Sequence, residues 1–362
     1  MKNYTILKDL VYTNSPTGFE NDIQTLFTKL ITPYVDKTYE DNLGNVYAEI
    51  TGDPNLPRIM INAHCDSIGF IVKYIGDNGF IYADDLPGHN ITDYRMLPGT
   101  DVFINNRKTG KFISGSFVPP QPIHKLDDSA LQESEKREDL AIDIGAHSKT
   151  QTLSYLGVGD YVVLAPNLKI TDIGKRLVGT NLDDRLGLYC LIRIAENVFT
   201  SKIKKKPTII FVSTVCEENA IGAAGVASKN ANVDFSLTID STIATDQIVS
   251  DADYAISKRY GWVALDCGVA LARGFGITDS VFLALENMCE KNNIMFQIDL
   301  NIGGAENEQI QSAGKGVKTA LLSIPVRNLH TRIETTSIQD TESTIQLATK
   351  FIKAFPKNLI KK

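Results

Sequence analysis

The stretch "TIIFVSTVCEENAIGAAG", from Thr208 to Gly225, joins an apolar, β-branched run to two adjacent acidic residues. The apolar run predicts a buried β-strand. Glu217 and Glu218 follow it directly and precede a series of small residues. Adjacent like charges repel and carboxylates resist burial, so these two must lie in water or be neutralised by a partner such as a metal ion. The stretch therefore predicts a strand of a buried sheet that ends in either a solvated loop or a metal site.

Strands and helices alternate on both sides of this stretch. Two short helices are predicted within residues 4–31, separated by a turn at Pro16 to Gly18. Further strands are predicted in "NVYAEITG", "RIMINAHCD", "FSLTID" and "TALLSIPV", and further helices in "DDRLGLYCLIRIAENVF", "DSVFLALENMCEKNN" and "TESTIQLATKFIKAF". This alternation predicts an α/β domain with a largely parallel central sheet and helices on both faces.

Residues 70–166 have a different pattern. Short β runs, among them "FIVKYIG", "DVFINN" and "KFISGSFV", are separated by turn clusters such as "GDNG" and "NRKTG". The charge-dense segment 125–139 within this region is expected to be a solvated loop or a surface helix. We therefore expect a discontinuous α/β domain, residues 1–69 and 167–362, interrupted by a small inserted β domain, residues 70–166.

Composition restricts the class of partner. The 362 residues include 43 acidic and 37 basic side chains, for a formal net charge of -6. This balance provides no basic field for nucleic acid or anionic lipid, so we expect neither nucleic acid nor membrane as a partner. The five cysteines are scattered and form no C-x-x-C pair, and no long apolar run resembles a signal peptide or a membrane span. We expect a cytoplasmic protein with reduced thiols.

Ionisable residues gather at one predicted edge of the sheet. In open α/β sheets, ligands bind beyond the carboxyl ends of the strands. The residues predicted at those ends, or at the start of a helix, are His64, Asp66, Asp183, Asp184, Glu217, Glu218, Asp240 and His330. Taken singly, each has an ordinary explanation: an aspartate pair can cap a helix, an aspartate can form a turn, and a lone histidine is more often a surface or core residue.

The convergence of these residues favours a metal site over independent capping and turn roles. His64 and Asp66 occupy positions i and i+2 of a strand and so face the same side, and a metal-bound imidazole commonly donates its other N–H to a carboxylate. Two histidines with several carboxylates suit zinc, cobalt or manganese. Alternation turns Cys65 away from this face, and we expect Cys65 and Cys216 to pack in the core.

The motifs "AHCDSIGF", "LDDRLG", "STVCEE" and "IPVRNLH" occur in that order along the chain. The series resembles the metallo-aminopeptidase family that includes glutamyl aminopeptidases and the tetrahedral, self-compartmentalising aminopeptidases, some members of which have been labelled endoglucanases. The resemblance extends from "SPTGFE" and "DNLGN", through "DIGAHS" and "GVGDYVV", to His330 and Glu334. It covers nearly the whole chain.

The resemblance implies two divalent metal ions per subunit. It assigns the ligands as His64 and Asp240 for one ion, Glu218 and His330 for the other, and Asp183 as a bridge between the two. It also implies that Glu217 is the general base and that Asp66 orients His64. The inserted β domain would be a dimerisation domain of barrel or PDZ-like type, and the dimers could assemble into a dodecamer.

The chain departs from the family pattern beside the proposed ligands. Ser67 stands where glutamate is usual, Cys216 stands where glutamine is usual, and "GGAENEQIQ" replaces a Gly-Thr-Asp-Ala sequence. These departures spare every proposed ligand and bear mainly on substrate preference. The sequence thus predicts a dinuclear metal-dependent aminopeptidase acting on peptides. The alternatives are a related amidohydrolase that acts on acylated amino acids or other small amides, and an assembly subunit with little turnover.

Overall fold

Buried, β-branched strands form the centre of the protein. The computed structural model describes residues 4–86, 92–119, 140–201, 203, 206–247, 258–301 and 304–359. Within these ranges the main sheet has 11 strands. Nine follow one another in space: β1 (Lys37–Glu40), β2 (Val46–Ile50), β12 (Thr208–Thr214), β3 (Arg58–His64), β13 (Phe235–Ile243), β16 (Lys318–Arg327), β17 (Glu334–Ser337), β11 (Arg176–Gly179) and β10 (Leu168–Ile170). The remaining two are β14 (Val269–Gly274), which pairs with β16, and β15 (Phe296–Asn301), which pairs with β14.

The four central strands β12, β3, β13 and β16 run parallel, whereas β1, β2, β17, β11 and β10 join their neighbours in antiparallel pairs. Short connections join three of these pairs, β1 with β2, β10 with β11 and β16 with β17, and such connections require antiparallel pairing because a parallel pair needs a crossover of about a dozen residues or more. Between β1 and β2, for example, Asp41 closes a tight turn by accepting hydrogen bonds from the backbone N–H groups of Leu43 and Asn45. The predicted α/β fold is confirmed, with a parallel centre inside a mixed sheet.

Helices cover both faces of this sheet. On one face, a large apolar core includes residues of α1 (Tyr4–Val11), α2 (Asn21–Ile31), α4 (Leu182–Thr200), α6 (Asp279–Asn292) and α8 (Ile338–Lys353). On the other face, a smaller core includes residues of α5 (Ala223–Ala231) and α7 (Asn307–Gln311). Successive residues of a central strand point alternately into these two cores: Ile59 lies in the larger core and Met60 in the smaller one. Because both faces of the strand are buried, its sequence is apolar without interruption.

A closed β-barrel interrupts the α/β chain between β3 and β10. Its strands, in spatial order, are β4 (Gly69–Ile75), β5 (Ile81–Leu86), β8 (Ala141–Asp143), β7 (Phe112–Val118), β6 (Asp101–Asn105) and β9 (Tyr161–Leu164). Helix α3 (Lys149–Tyr155) lies between β8 and β9 in the chain, and the barrel has an apolar core of its own. Segment 125–139, predicted as a loop or surface helix, lies outside the described residues. Among the helices of the described residues, none has the length and apolar character needed to cross a membrane.

Gly187, near the start of α4, packs directly against β3. A Cβ atom at this position would lie 2.0 Å from Asp184 Oδ2 and 2.7 Å from Ala63 Cβ. We expect Gly187→Ala to lower the free energy of unfolding by about 1–3 kcal/mol, because overpacking outweighs the better helix propensity of alanine. Thermal or denaturant unfolding measures the change.

Gly157→Ala is the control for this substitution. A Cβ atom there would meet nothing nearer than Arg107 Nη1 at 3.8 Å, so we expect a change within about 0.5 kcal/mol. Equal stability of the two variants would contradict the close packing of α4 on β3.

Candidate metal centre

Two histidines and three carboxylates meet at the carboxyl ends of the central strands. His64 is the last residue of β3, Asp240 lies on β13, and Glu218 follows β12. His330 follows β16, and Asp183 lies at the start of α4. Because the parallel strands end at the same edge of the sheet, residues far apart in the chain come within a few ångströms of one another.

Asp183 lies between the two imidazoles. Its Oδ1 is 3.3 Å from His64 Nε2 and its Oδ2 is 3.2 Å from His330 Nε2. Asp240 Oδ1 lies 3.7 Å from His64 Nε2, and Glu218 Oε2 lies 3.4 Å from His330 Nε2. The five side chains thus form two triads that share Asp183, and within each triad the potential ligand atoms lie within 4.8 Å of one another.

The backbone at the start of α4 separates the two adjacent aspartates. Asp183 and Asp184 both depart from helical φ and ψ angles, and the peptide bond between them is cis. Asp184 Oδ1 accepts a hydrogen bond of 2.9 Å from the backbone N–H of Gly187, which is the contact expected of a helix cap. Asp183 faces the histidines instead. The capping explanation considered for the pair therefore describes Asp184 alone.

Asp66 holds the turn that contains both glutamates. Its carboxylate is fully buried and accepts hydrogen bonds from the backbone N–H groups of Glu217, at 3.0 Å, and Glu218, at 3.1 Å. The hydroxyl of Thr17 donates a third, at 2.7 Å. His64 Nδ1 lies 3.5 Å from Asp66 Oδ1 and 3.2 Å from the Asp66 carbonyl oxygen. Asp66 thus contacts His64, and its shortest hydrogen bonds go to the turn and to Thr17.

Cys216 begins the same turn in a left-handed conformation, with a φ of 57°. Its backbone N–H and its thiol both donate to Glu20 Oε1, at 3.2 and 3.3 Å. Burial, together with the nearby Glu20 charge, raises the pKa of the Cys216 thiol to about 12. Cys65 is buried in the main core, whereas Cys216 is half-buried and also tethers the turn to the segment before α2. A thiol with this pKa is a poor nucleophile at neutral pH.

The carboxylates at this edge are crowded. Burial raises the pKa of Glu218 to about 7 and that of Asp240 to about 8, and the Asp183 charge adds to both shifts. The pKa of Glu217 is also raised well above its ordinary value, by burial first and then by Asp240 and Glu218. Burial and mutual repulsion therefore disfavour the charged forms of these three carboxyl groups.

The two histidines, unlike these carboxylates, are stabilised in their charged form. Burial by itself would lower the pKa of His64, but contacts with Asp183 and Asp66 raise it well above its ordinary value. The same competition raises the pKa of His330 to about 10, through Glu218 and Asp183. Asp183 has a lowered pKa because its two histidine contacts outweigh the effect of burial. The carboxylates thus stabilise the positively charged forms of both imidazoles.

The donor set suits divalent cations. Glu218 Oε1 is buried and has no hydrogen-bond partner among the described residues, as expected of an oxygen reserved for a ligand. Both triads consist of imidazole nitrogen and carboxylate oxygen, without a thiolate. Zinc, cobalt and manganese all accept this combination. The residues present fit a pair of such ions.

Two buried acids near this centre had no role in the sequence analysis. Glu306 Oε2 accepts hydrogen bonds of 2.7 Å from both Asn62 Nδ2 and Thr214 Oγ1, and so links β3 to β12, where Thr214 is the strand partner of His64. Burial raises the pKa of Glu306 to about 7. The departure "GGAEN" was the one signal in the sequence that could have drawn attention to it.

Glu334 is the second of these acids. Its carboxylate accepts hydrogen bonds from the backbone N–H groups of Asp183, at 3.2 Å, and His330, at 2.9 Å. Glu334 therefore holds two separate segments of the backbone in place, one at Asp183 and the other at His330. Burial, with the Asp183 charge, raises its pKa to about 8. Its place four residues after His330 was the available signal.

A cavity of about 710 Å³ opens at the centre. Glu217 lines it together with all five residues of the two triads. Its other walls come mainly from β13, the segment around Tyr260, β15 and α7. The volume lies within the range typical of sites for small molecules and short peptides.

Known proteins resemble this chain over almost its whole length. A putative aminopeptidase of Acetivibrio thermocellus is 27% identical over 96% of this chain and 98% of its own. The structure of an aminopeptidase from Desulfurococcus kamchatkensis has a TM-score of 0.86 and 26% identity, covering 99% of this chain and 96% of its own. The Pyrococcus horikoshii TET1 peptidase has a TM-score of 0.81 and 25% identity, covering 96% of this chain and 98% of its own. The model of the M42 glutamyl aminopeptidase family matches residues 44–347. The chain therefore belongs to the M42 glutamyl aminopeptidase family of peptide hydrolases, as its motif series predicted.

Proposed function

We propose that the protein is a dinuclear metal-dependent aminopeptidase that removes amino-terminal residues from peptides. The observation that supports this most directly is the position of Asp183, whose two oxygens face two different histidines at 3.3 and 3.2 Å. A single carboxylate placed in this way suits a bridge between two cations. His64 and Asp240 would hold one ion, and Glu218 and His330 the other.

The bound ions would lower the pKa of a water molecule towards neutrality and polarise the scissile carbonyl. Glu217 has the position and the environment of a general base, because it lines the cavity and belongs to neither triad. Its raised pKa matches a group that must accept a proton from water and then donate it to the leaving amine. Asp66 keeps Glu217 in place through the backbone of the turn.

The experiment that tests this function combines metal analysis with a panel of substrates. The purified full-length protein, loaded in turn with zinc, cobalt or manganese, is assayed on aminoacyl amides and on N-acyl amino acids. We expect two ions per subunit and hydrolysis of the aminoacyl amides, lost with a chelator and restored by metal. Hydrolysis of N-acyl amino acids alone would indicate an amidohydrolase, and metal binding without turnover would indicate an assembly subunit.

We further propose that residues 1–69 and 167–362 form the catalytic domain and that the barrel region, residues 70–166, mediates dimerisation. The Pyrococcus horikoshii TET1 peptidase can assemble into a tetrahedron or an octahedral shell. In this chain, Leu153, Tyr155 and Val158 are each at least 50% exposed next to the barrel, and exposed apolar groups of this kind favour contact with another subunit. Sedimentation of the full-length protein measures the assembly. The five unpaired cysteines support a cytoplasmic location.

Glu218→Gln should weaken the binding of one ion without removing the catalytic base. The amide replaces an anionic ligand by a neutral one, so metal affinity should fall and activity should return in part at high metal concentration. Metal titration followed by both calorimetry and activity measures the effect. Glu290→Gln, on the exposed surface of α6, is the control and should behave as the wild type. Full metal occupancy with lost turnover would assign Glu218 a different role.

A further inference from the structure

The cavity continues beyond the two triads and remains acidic there. Two further carboxylates, Asp299 on β15 and Glu308 on α7, line the same space. Among the lining residues that the structure describes, none is lysine or arginine. The outer part of the cavity therefore has negative charge of its own, beyond that of the carboxylates that the metal ions would neutralise.

Asp299 is the better buried of the two, with only 8% of its surface exposed. Its carboxylate interacts with the side chain of Thr242 and with the backbone N–H of Leu300. Within the described residues, no cation forms an ion pair with it. Burial consequently raises its pKa, whereas a neighbouring cation would lower it. A carboxylate held in this way inside a cavity lacks a positively charged partner.

The position of Thr242 locates Asp299 relative to the metal centre. Thr242 is two residues after Asp240 on β13, so alternation places both side chains on the same face of the strand. Two residues of a strand span about 7 Å. The Asp299 carboxylate therefore lies to the side of the centre rather than at it, in a part of the same cavity that a substrate side chain could enter.

The rest of the outer cavity suits a long side chain with an apolar stem. Its walls include the apolar groups of Ile243, Val263 and Leu300. Glu308 contributes its carboxylate from α7, where its Oε1 accepts a hydrogen bond of 2.9 Å from the backbone N–H of Gly304. Apolar walls with carboxylates among them match the chemistry of lysine and arginine, whose methylene stems carry a terminal cation.

We propose that this cavity selects peptides with an amino-terminal lysine or arginine, with Asp299 as the main specificity-determining residue and Glu308 as a second contact for the cation. This inference rests on the aminopeptidase function proposed above. It follows from the placement of the two carboxylates and from the absence of lysine and arginine among the described lining residues.

The test compares lysine with its neutral counterpart. Metal-loaded wild-type protein is assayed on fluorogenic amides of lysine, arginine, norleucine and glutamate, since norleucine keeps the stem of lysine without the charge. We expect kcat/KM for the lysine amide to exceed that for the norleucine amide by about tenfold or more, which corresponds to about 1.4 kcal/mol. The glutamate amide should be the poorest substrate.

The Asp299→Asn variant tests whether Asp299 causes the preference for lysine and arginine over norleucine. We expect kcat/KM for lysine and arginine to fall by about tenfold, mainly through KM, with norleucine changed by less than about twofold. Glu308→Gln should lower kcat/KM for lysine and arginine by a smaller factor. Asp9→Asn, at an exposed position of α1, is the control and should leave the ratios of kcat/KM for lysine and arginine to that for norleucine unchanged.

The outcomes separate this inference from the proposed function. Equal rates for lysine and norleucine in the wild type would overturn the inference and leave the aminopeptidase intact. Failure to hydrolyse any aminoacyl amide would overturn both. An unchanged lysine preference in a folded Asp299→Asn protein would overturn the role of Asp299. If circular dichroism shows that the Asp299→Asn variant does not fold, two measurements still test the inference: the ratio of kcat/KM for lysine to that for norleucine in the wild type, and the effect of Glu308→Gln on this ratio.

Discussion

Glu217→Gln is expected to lower kcat by on the order of 10²- to 10⁴-fold while leaving the metal content unchanged. The amide keeps the size of the side chain but cannot accept a proton from water. Its backbone N–H still donates to Asp66 at 3.0 Å, so the turn and the adjacent Glu218 should keep their positions. The loss should therefore be one of chemistry rather than of folding or of metal binding.

Steady-state kinetics and metal analysis of the same preparation measure this result. Glu290→Gln is again the control, because it makes the same chemical change on the exposed surface of α6. High metal concentration should not restore the Glu217→Gln protein, in contrast to Glu218→Gln. If Glu217→Gln lost metal, or if it kept wild-type activity, the assignment of Glu217 as general base would be wrong.

Asp183→Asn is expected to disable both halves of the centre. One oxygen of Asp183 faces His64 and the other faces His330, and asparagine replaces one of these oxygens with an amide NH2 group, which is a hydrogen-bond donor and cannot bind a cation. Both ions should bind more weakly. Because metal ions contribute several kcal/mol of charge stabilisation, activity should fall by on the order of 10³-fold or more.

Metal analysis after dialysis distinguishes Asp183→Asn from the other ligand variants. We expect this substitution to reduce the content of both ions, whereas Glu218→Gln affects chiefly one. Asp9→Asn serves as the control, and circular dichroism verifies the fold. Retention of two tightly bound ions by the Asp183→Asn protein would refute the proposed bridge.

Local pattern was sufficient to predict the α/β fold. The apolar runs of β3, β12, β13 and β16 and the helices between them follow from periodicity, which depends only on near neighbours in the chain. The same reasoning placed His64, Glu218, Asp240 and His330 at one edge, because parallel strands present their carboxyl ends together. The order of motifs then identified the family.

The detailed arrangement of the site was decided by tertiary structure. Periodicity assigned Asp183 and Asp184 to one helix start, but the backbone there turns one carboxylate to the histidines and the other to the helix. The supporting contacts of Glu306 and Glu334 also went unpredicted. Glu306 binds Asn62, 244 residues earlier in the chain, and no local signal connects two such positions.

By itself the sequence indicated a group of residues that could bind metal, because most of them follow apolar runs predicted as parallel strands, whose carboxyl ends meet at one edge of the sheet. Tertiary structure alone decided how the two oxygens of Asp183 are shared and which further carboxylates enter the cavity. Asp299 illustrates the difference: it lies on β15 and in the sequence is an ordinary strand residue, yet the fold places its carboxylate against Thr242 beside the centre. Contacts of this kind depend on the register and packing of distant segments, whereas strand and helix propensity act over only a few residues.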